Sequence, residues 1–128
     1  MSRRALQVVV ALLALVPVSA GLFGALEGAV AFGAALPPGP DSQFRYLSGL
    51  LLAIGIAFWS TIPRIERHSA RFRLLTALVL CGGVYRLLGL LRAGPVPGGM
   101  LFGLGMELLV TPALCWWQSR IAVPPSRV

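Results

Sequence analysis

The chain has 128 residues, of which 57% are apolar and 12% charged, and a mean hydropathy of +0.84; a soluble domain carries roughly 45–50% apolar and about 25% charged residues, so that class is excluded. Its 15 glycines and 10 prolines are interspersed with Leu, Ala and Val, which excludes collagen-like and disordered chains and leaves an integral membrane protein. The net charge of +7 comes from 11 basic residues, all arginine, against Glu27, Asp41, Glu66 and Glu107; the arginines sit mostly in short gaps between apolar runs, not on one aromatic-laced face, which speaks for membrane topology and against nucleic acid as a partner.

The first apolar stretch covers residues 5–36, and residues 5–26 alone supply 22 positions before Glu27, against the ~20 needed to cross a hydrocarbon core. Pro17 is expected to kink it. Arg3, Arg4, the apolar residues 7–16 and the small Val18-Ser19-Ala20 also fit a cleaved leader. The apolar run, however, continues beyond that cut through Leu22, Phe23, Leu26, Val30 and Phe32, which favours a retained span. Residues 37–42, Pro-Pro-Gly-Pro-Asp-Ser, read as a helix-breaking loop in which Asp41 or Ser42 offers an N-cap for the second span. That span covers residues 46–62, the third 74–91 and the fourth 98–117, with Pro112 expected to kink the last. The reading is an all-α integral membrane four-helix bundle, a single transmembrane domain over residues 1–128.

Eight arginines fix its orientation. Arg3, Arg4, Arg64, Arg67, Arg71, Arg73, Arg120 and Arg127 fall on one side of four crossings, and only Arg45 and Arg92 flank the other. The positive-inside rule then places both termini and residues 64–73 in the cytoplasm, giving a multi-pass membrane protein. Trp59 and the Trp116, Trp117, Gln118 group read as an interfacial belt on that side. Gly21, Gly24 and Gly28, and the Gly99 and Gly103 pair, are spaced for close helix approach. Gly82 and Gly83 either widen the backbone options of the third span or admit a neighbour beside Arg86.

Charges inside spans are the sharpest signal, because each is costly in hydrocarbon and faces protein or water. Arg86 and Glu107 lie on the third and fourth spans at matching depth and are expected to pair. Glu27, Asp41 and Arg45 fall toward the same outer half, and Tyr46 and Tyr85 supply hydroxyls there. These seven residues form the candidate polar cluster, read either as a structural lock or as a ligand site in which Arg45 and Arg86 clamp a carboxylate or phosphate. Ordinary snorkelling is the competing reading for Arg45 and Arg92. Cys81 and Cys115 lie in apolar runs without metal or disulfide spacing and read as small buried side chains. His68 reads as a solvated loop residue. No phosphate loop, nucleophile elbow or zinc-protease motif occurs, so no catalytic residue, metal or cofactor is assigned.

Residues 41–49 (DSQFRYLSG), 62–66 (IPRIE) and 82–87 (GGVYRL) resemble an uncharacterised family of small bacterial four-span membrane proteins, domain-of-unknown-function family 4345. The resemblance covers nearly the whole chain and includes the glutamates at positions 27 and 107. It implies the four-span layout in a bacterial plasma (inner) membrane and draws attention to Glu27, Arg45, Arg86 and Glu107. In size and span number the chain is also loosely similar to quinone-associated DoxX-type proteins, which implies a redox accessory role.

The resulting expectation is a non-enzymatic protein whose outer-half Arg/Glu cluster binds a small anionic or lipid ligand or scaffolds a partner. Its partners are the bilayer and a second copy or another membrane protein. The alternative is a small proton-coupled transporter acting as a dimer, with Glu27 or Glu107 carrying the proton.

Overall fold

The computed structural model describes residues 2–94 and 98–124; Arg127 and residues 95–97 of the third connection lie outside the described residues. All regular structure among the described residues is helical. It forms four rods, Arg3–Phe32, Pro38–Arg67, Ser69–Ala93 and Gly98–Ile121, each long and apolar enough to cross a bilayer. The all-α, four-helix expectation is met. At most 22% of the most apolar window of any rod is buried, so most of that surface is suited to hydrocarbon contact.

The second, third and fourth rods run beyond the apolar stretches expected of them, whereas the first ends at Phe32, short of residue 36. The first divides into α1 (Arg3–Leu13), α2 (Leu15–Glu27) and a tight 3-10 turn, Gly28–Phe32. The division at Ala14 follows from Pro17, which has no N–H to offer the carbonyl four residues back; the ladder resumes at once, with the Val18 amide donating to Ala14 at 3.1 Å. The second rod is α3 (Pro38–Thr61) with a 3-10 segment, Ile62–Arg67. Here the expected loop at residues 37–42 is corrected: it is the first turn of α3. Pro38 and Pro40 fit there because the opening amides of a helix have no intrahelical partner and proline presets the helical φ. Pro37 is the N-cap and no side chain caps the start, so neither Asp41 nor Ser42 has the capping role expected of it. The third rod is the uninterrupted α4 (Ser69–Ala93). The fourth comprises α5 (Gly98–Gly105), a π turn (Met106–Val110) and α6 (Thr111–Ile121). Pro112 explains the wide turn: it cannot donate to Leu108, and Thr111 instead donates through its amide to Met106 and through its hydroxyl to the same carbonyl at 2.7 Å.

The chain forms two compact units. In the first, Gln7–Pro63, α2 packs on α3 through glycines. A Cβ on Gly21 would lie 2.5 Å from the Leu52 nitrogen and 2.7 Å from the Ser48 oxygen, one on Gly24 would overlap the Ser48 hydroxyl, and one on Gly55 would lie 2.6 Å from Val18 Cγ2. The close-approach expectation therefore holds for Gly21 and Gly24. For Gly99 and Gly103 no neighbour lies within 4 Å among the described residues. Buried Val10, Ala14, Ala29 and Phe58 form this unit's apolar interior. Gln7 Nε2 donates to the Ile62 carbonyl at 2.6 Å and Trp59 Nε1 to the Ala11 carbonyl at 3.1 Å, so Trp59 serves α1 as well as any belt.

The second unit comprises residues 1–6 and 64–128. Its buried side chains are Leu6, Ile65, Phe72, Leu75, Thr76 and Gln118. Gln118, read from sequence as part of the belt, is fully buried, and its amide donates to the Ile65 carbonyl and the Ser69 hydroxyl, both at 2.9 Å. Cys81 is exposed and Cys115 half-buried, correcting the expectation that both are buried; a span packed on one side leaves even apolar residues uncovered.

Candidate functional site

The seven candidate residues resolve into two ion pairs, one in each unit, and three side chains outside them. Arg86 comes from α4 and Glu107 from the π turn. Arg86 Nε donates to both carboxylate oxygens, at 3.2 Å to Oε1 and 3.0 Å to Oε2, and Nη2 donates to Oε1 at 2.9 Å. Gly83, one turn before Arg86, makes room for this: a Cβ there would lie 2.8 Å from Glu107 Cβ and 3.0 Å from Leu108 Cδ2. Of the two readings left open for Gly82 and Gly83, admission of a neighbour is the one seen, and it belongs to Gly83; Gly82 faces open space. The pair is partly open, with side chains 37% and 17% exposed for Arg86 and Glu107. Nη1 has no hydrogen-bond partner among the described residues. Arg86 thus presents a pinned guanidinium with free donors. At ~1.5 Å per residue it lies roughly 10 Å from the Ala93 end of α4.

Asp41 and Arg45, one turn apart on α3, form the second pair. Arg45 Nε donates to Asp41 Oδ2 at 2.9 Å, and Nη1 donates to the Leu26 carbonyl at 2.6 Å, with Ala25 at 3.4 Å. Asp41 Oδ1 accepts the Ala29 amide at 3.1 Å. The pair thus satisfies backbone groups left over where α2 tightens into the 3-10 turn. Gly28 is required there twice: its φ of +76° disfavours any side chain, and a Cβ would lie 2.5 Å from Asp41 Oδ1. Arg45 is therefore a structural clasp, more than a snorkelling residue. Asp41→Ala is expected to speed hydrogen exchange at the Ala29 amide about tenfold in detergent, from the loss of one charge-assisted bond, while amides in the middle of α4 exchange as before.

Glu27, Tyr46 and Tyr85 are exposed and make no hydrogen bond or ion pair among the described residues. They are not drawn into either pair. Sequence reasoning missed Gln118, and it offered the admission of a neighbour for Gly82 and Gly83 together without telling which of them serves it. The signal for Gln118 was present, as a lone amide bordering an apolar run whose burial requires partners. Nothing in the glycine spacing singles out Gly83. Among the described residues no three His, Cys, Asp or Glu side chains gather as a metal site would require.

The family described as Domain of unknown function (DUF4345) matches residues 5–118. No curated protein matches the chain, and no solved structure does.

Proposed function

The chain belongs to this family of unknown function, and from that premise we propose that it is a multi-pass membrane protein that binds a small anionic group or lipid headgroup without catalysing a reaction. Arg86 is the recognising residue and Glu107 its holder. The supporting observation is the pinned, partly exposed guanidinium with Nη1 unengaged: a carboxylate that fixes an arginine through Nε and Nη2 leaves the other edge oriented for a second acceptor. The arginine distribution supports an orientation with both termini and residues 64–73 on the cytoplasmic side of a bacterial plasma membrane, which puts Arg86 in the outer half.

The test is thermal stability in neutral detergent with inorganic phosphate, glycerol phosphate or a short-chain phosphatidylglycerol. Glu107→Gln removes the competing carboxylate and leaves Arg86 charged, so this variant is expected to be less stable than wild type and to regain most of the loss with a phosphate probe. Arg86→Gln/Glu107→Gln should show no such recovery. If Glu107→Gln responds to the probes no more than the double variant, the pair is only a lock and the binding reading falls. A second reading, proton-coupled transport by a dimer, is favoured by one observation: Glu27 is an exposed carboxylate with no partner among the described residues. Glu107, already engaged by Arg86, suits proton carriage less well.

A further inference from the structure

Three segments of one unit converge on Ile65 and Glu66. The Glu66 carboxylate takes Arg3 at 2.9 Å, its carbonyl takes the Val123 amide at 2.9 Å, and the Ile65 carbonyl takes the buried Gln118 amide. The start of α1, the approach to α4 and the end of α6 are thereby tied together. With them come Arg3, Arg4, Arg120 and the four arginines of residues 64–73, and Glu66 is the one acid in these segments. Arg4, Arg64, Arg67 and Arg73 are exposed and form no ion pair among the described residues.

This concentration works against the fold's own electrostatics. Neither α1 nor α4 has an acid in its first turn; α1 opens on Arg3 and Arg4, and α4 carries Arg71 in its first turn, at the end where the helix dipole already carries partial positive charge. Like charges around one point repel as well. An anionic surface outside the protein offsets both terms. The exposed Trp116 ring, with the Arg120 guanidinium 5.7 Å from its centre, adds the aromatic and cationic side chains typical of a headgroup layer.

We infer that this arginine collar is a binding surface for anionic phospholipids, whose phosphates it holds in guanidinium forks where α1 and α4 enter the bilayer. The inference rests on the membrane reading above and concerns the end of α4 opposite Arg86. The test uses Trp59→Phe protein, which leaves Trp116 and Trp117 of α6 as reporters, reconstituted in phosphatidylcholine vesicles containing brominated phosphatidylglycerol or brominated phosphatidylcholine. The anionic lipid is expected to quench at about fivefold lower mole fraction, with the preference shrinking in high salt. Arg64→Gln/Arg67→Gln/Arg73→Gln should bring it toward parity, lysine at the same positions should retain it, and Arg86→Gln should leave it unchanged.

Equal quenching by the two lipids at low salt overturns the inference, as does an undiminished preference in the folded glutamine variant. Displacement by millimolar glycerol phosphate also overturns it, showing a site for soluble anions. If the glutamine variant does not fold, the salt dependence and the lysine variant decide. Failure of the wild type to enter vesicles removes the membrane reading itself, a separate outcome.

Discussion

Glu107→Leu is expected to lower stability by about 3 kcal/mol, the scale of an uncompensated charge within a span. Arg86→Leu should lose a similar amount, and Arg86→Leu/Glu107→Leu should recover most of it. The costly state is one charge left alone, since the Nε and Nη2 contacts between the two residues offset a desolvation that neither bears by itself. Unfolding of purified protein in detergent measures this, and additive losses in the double variant would show that the residues do not act as a pair.

The second large effect is expected at Gly21. Every close neighbour of an added Cβ is backbone of α3, namely the Leu52 nitrogen at 2.5 Å, the Ser48 oxygen at 2.7 Å and Leu52 Cα at 2.8 Å. No rotamer change relieves such an overlap, so α2 and α3 must move apart and lose the dispersion contacts that hold helices together in lipid. Gly21→Ala is expected to cost about 3 kcal/mol, the upper range for overpacking by one methyl group. Gly82→Ala is the control: Gly82 lies in α4 with nothing within 4 Å, and alanine there should gain about 0.5–1 kcal/mol from helix propensity. The same unfolding measurement compares them, and equal effects would refute a role for helix approach at Gly21.

The four rods were legible because hydrocarbon thickness imposes a length on any apolar stretch, and the Arg86 and Glu107 pair because two charges at one depth are costly unless they meet. Depth says less about lateral placement, which is why Tyr46, Tyr85 and Glu27 were grouped with residues they do not bond. Residues 37–42 misled because proline stops a helix from within yet suits its first turn, and only the neighbouring rod shows which applies. Asp41 was legible as a helix-end residue, but its target, the Ala29 amide on another helix, depends on tertiary approach. Glycine spacing has the same limit: it marks a face where helices could meet, and the partner decides whether Gly24 or Gly99 is used. Gln118 was read by its tryptophan neighbours, when its own unmet hydrogen-bonding groups were the better guide.

The π turn divides the fourth rod into parts of unequal local stability. Beyond it α6 is moored by Gln118 to Ile65 and Ser69. Before it α5 contains no buried residue, and Gly98, Gly99, Gly103 and Gly105 all face open space. Glu107, at the junction, is the residue through which α5 is held to α4 by charge. An occupant that drew Arg86 away from Glu107 would therefore loosen α5 as a separate cooperative unit while α6 stayed in place. Binding at one guanidinium would then be read out as order or disorder along eight residues of helix.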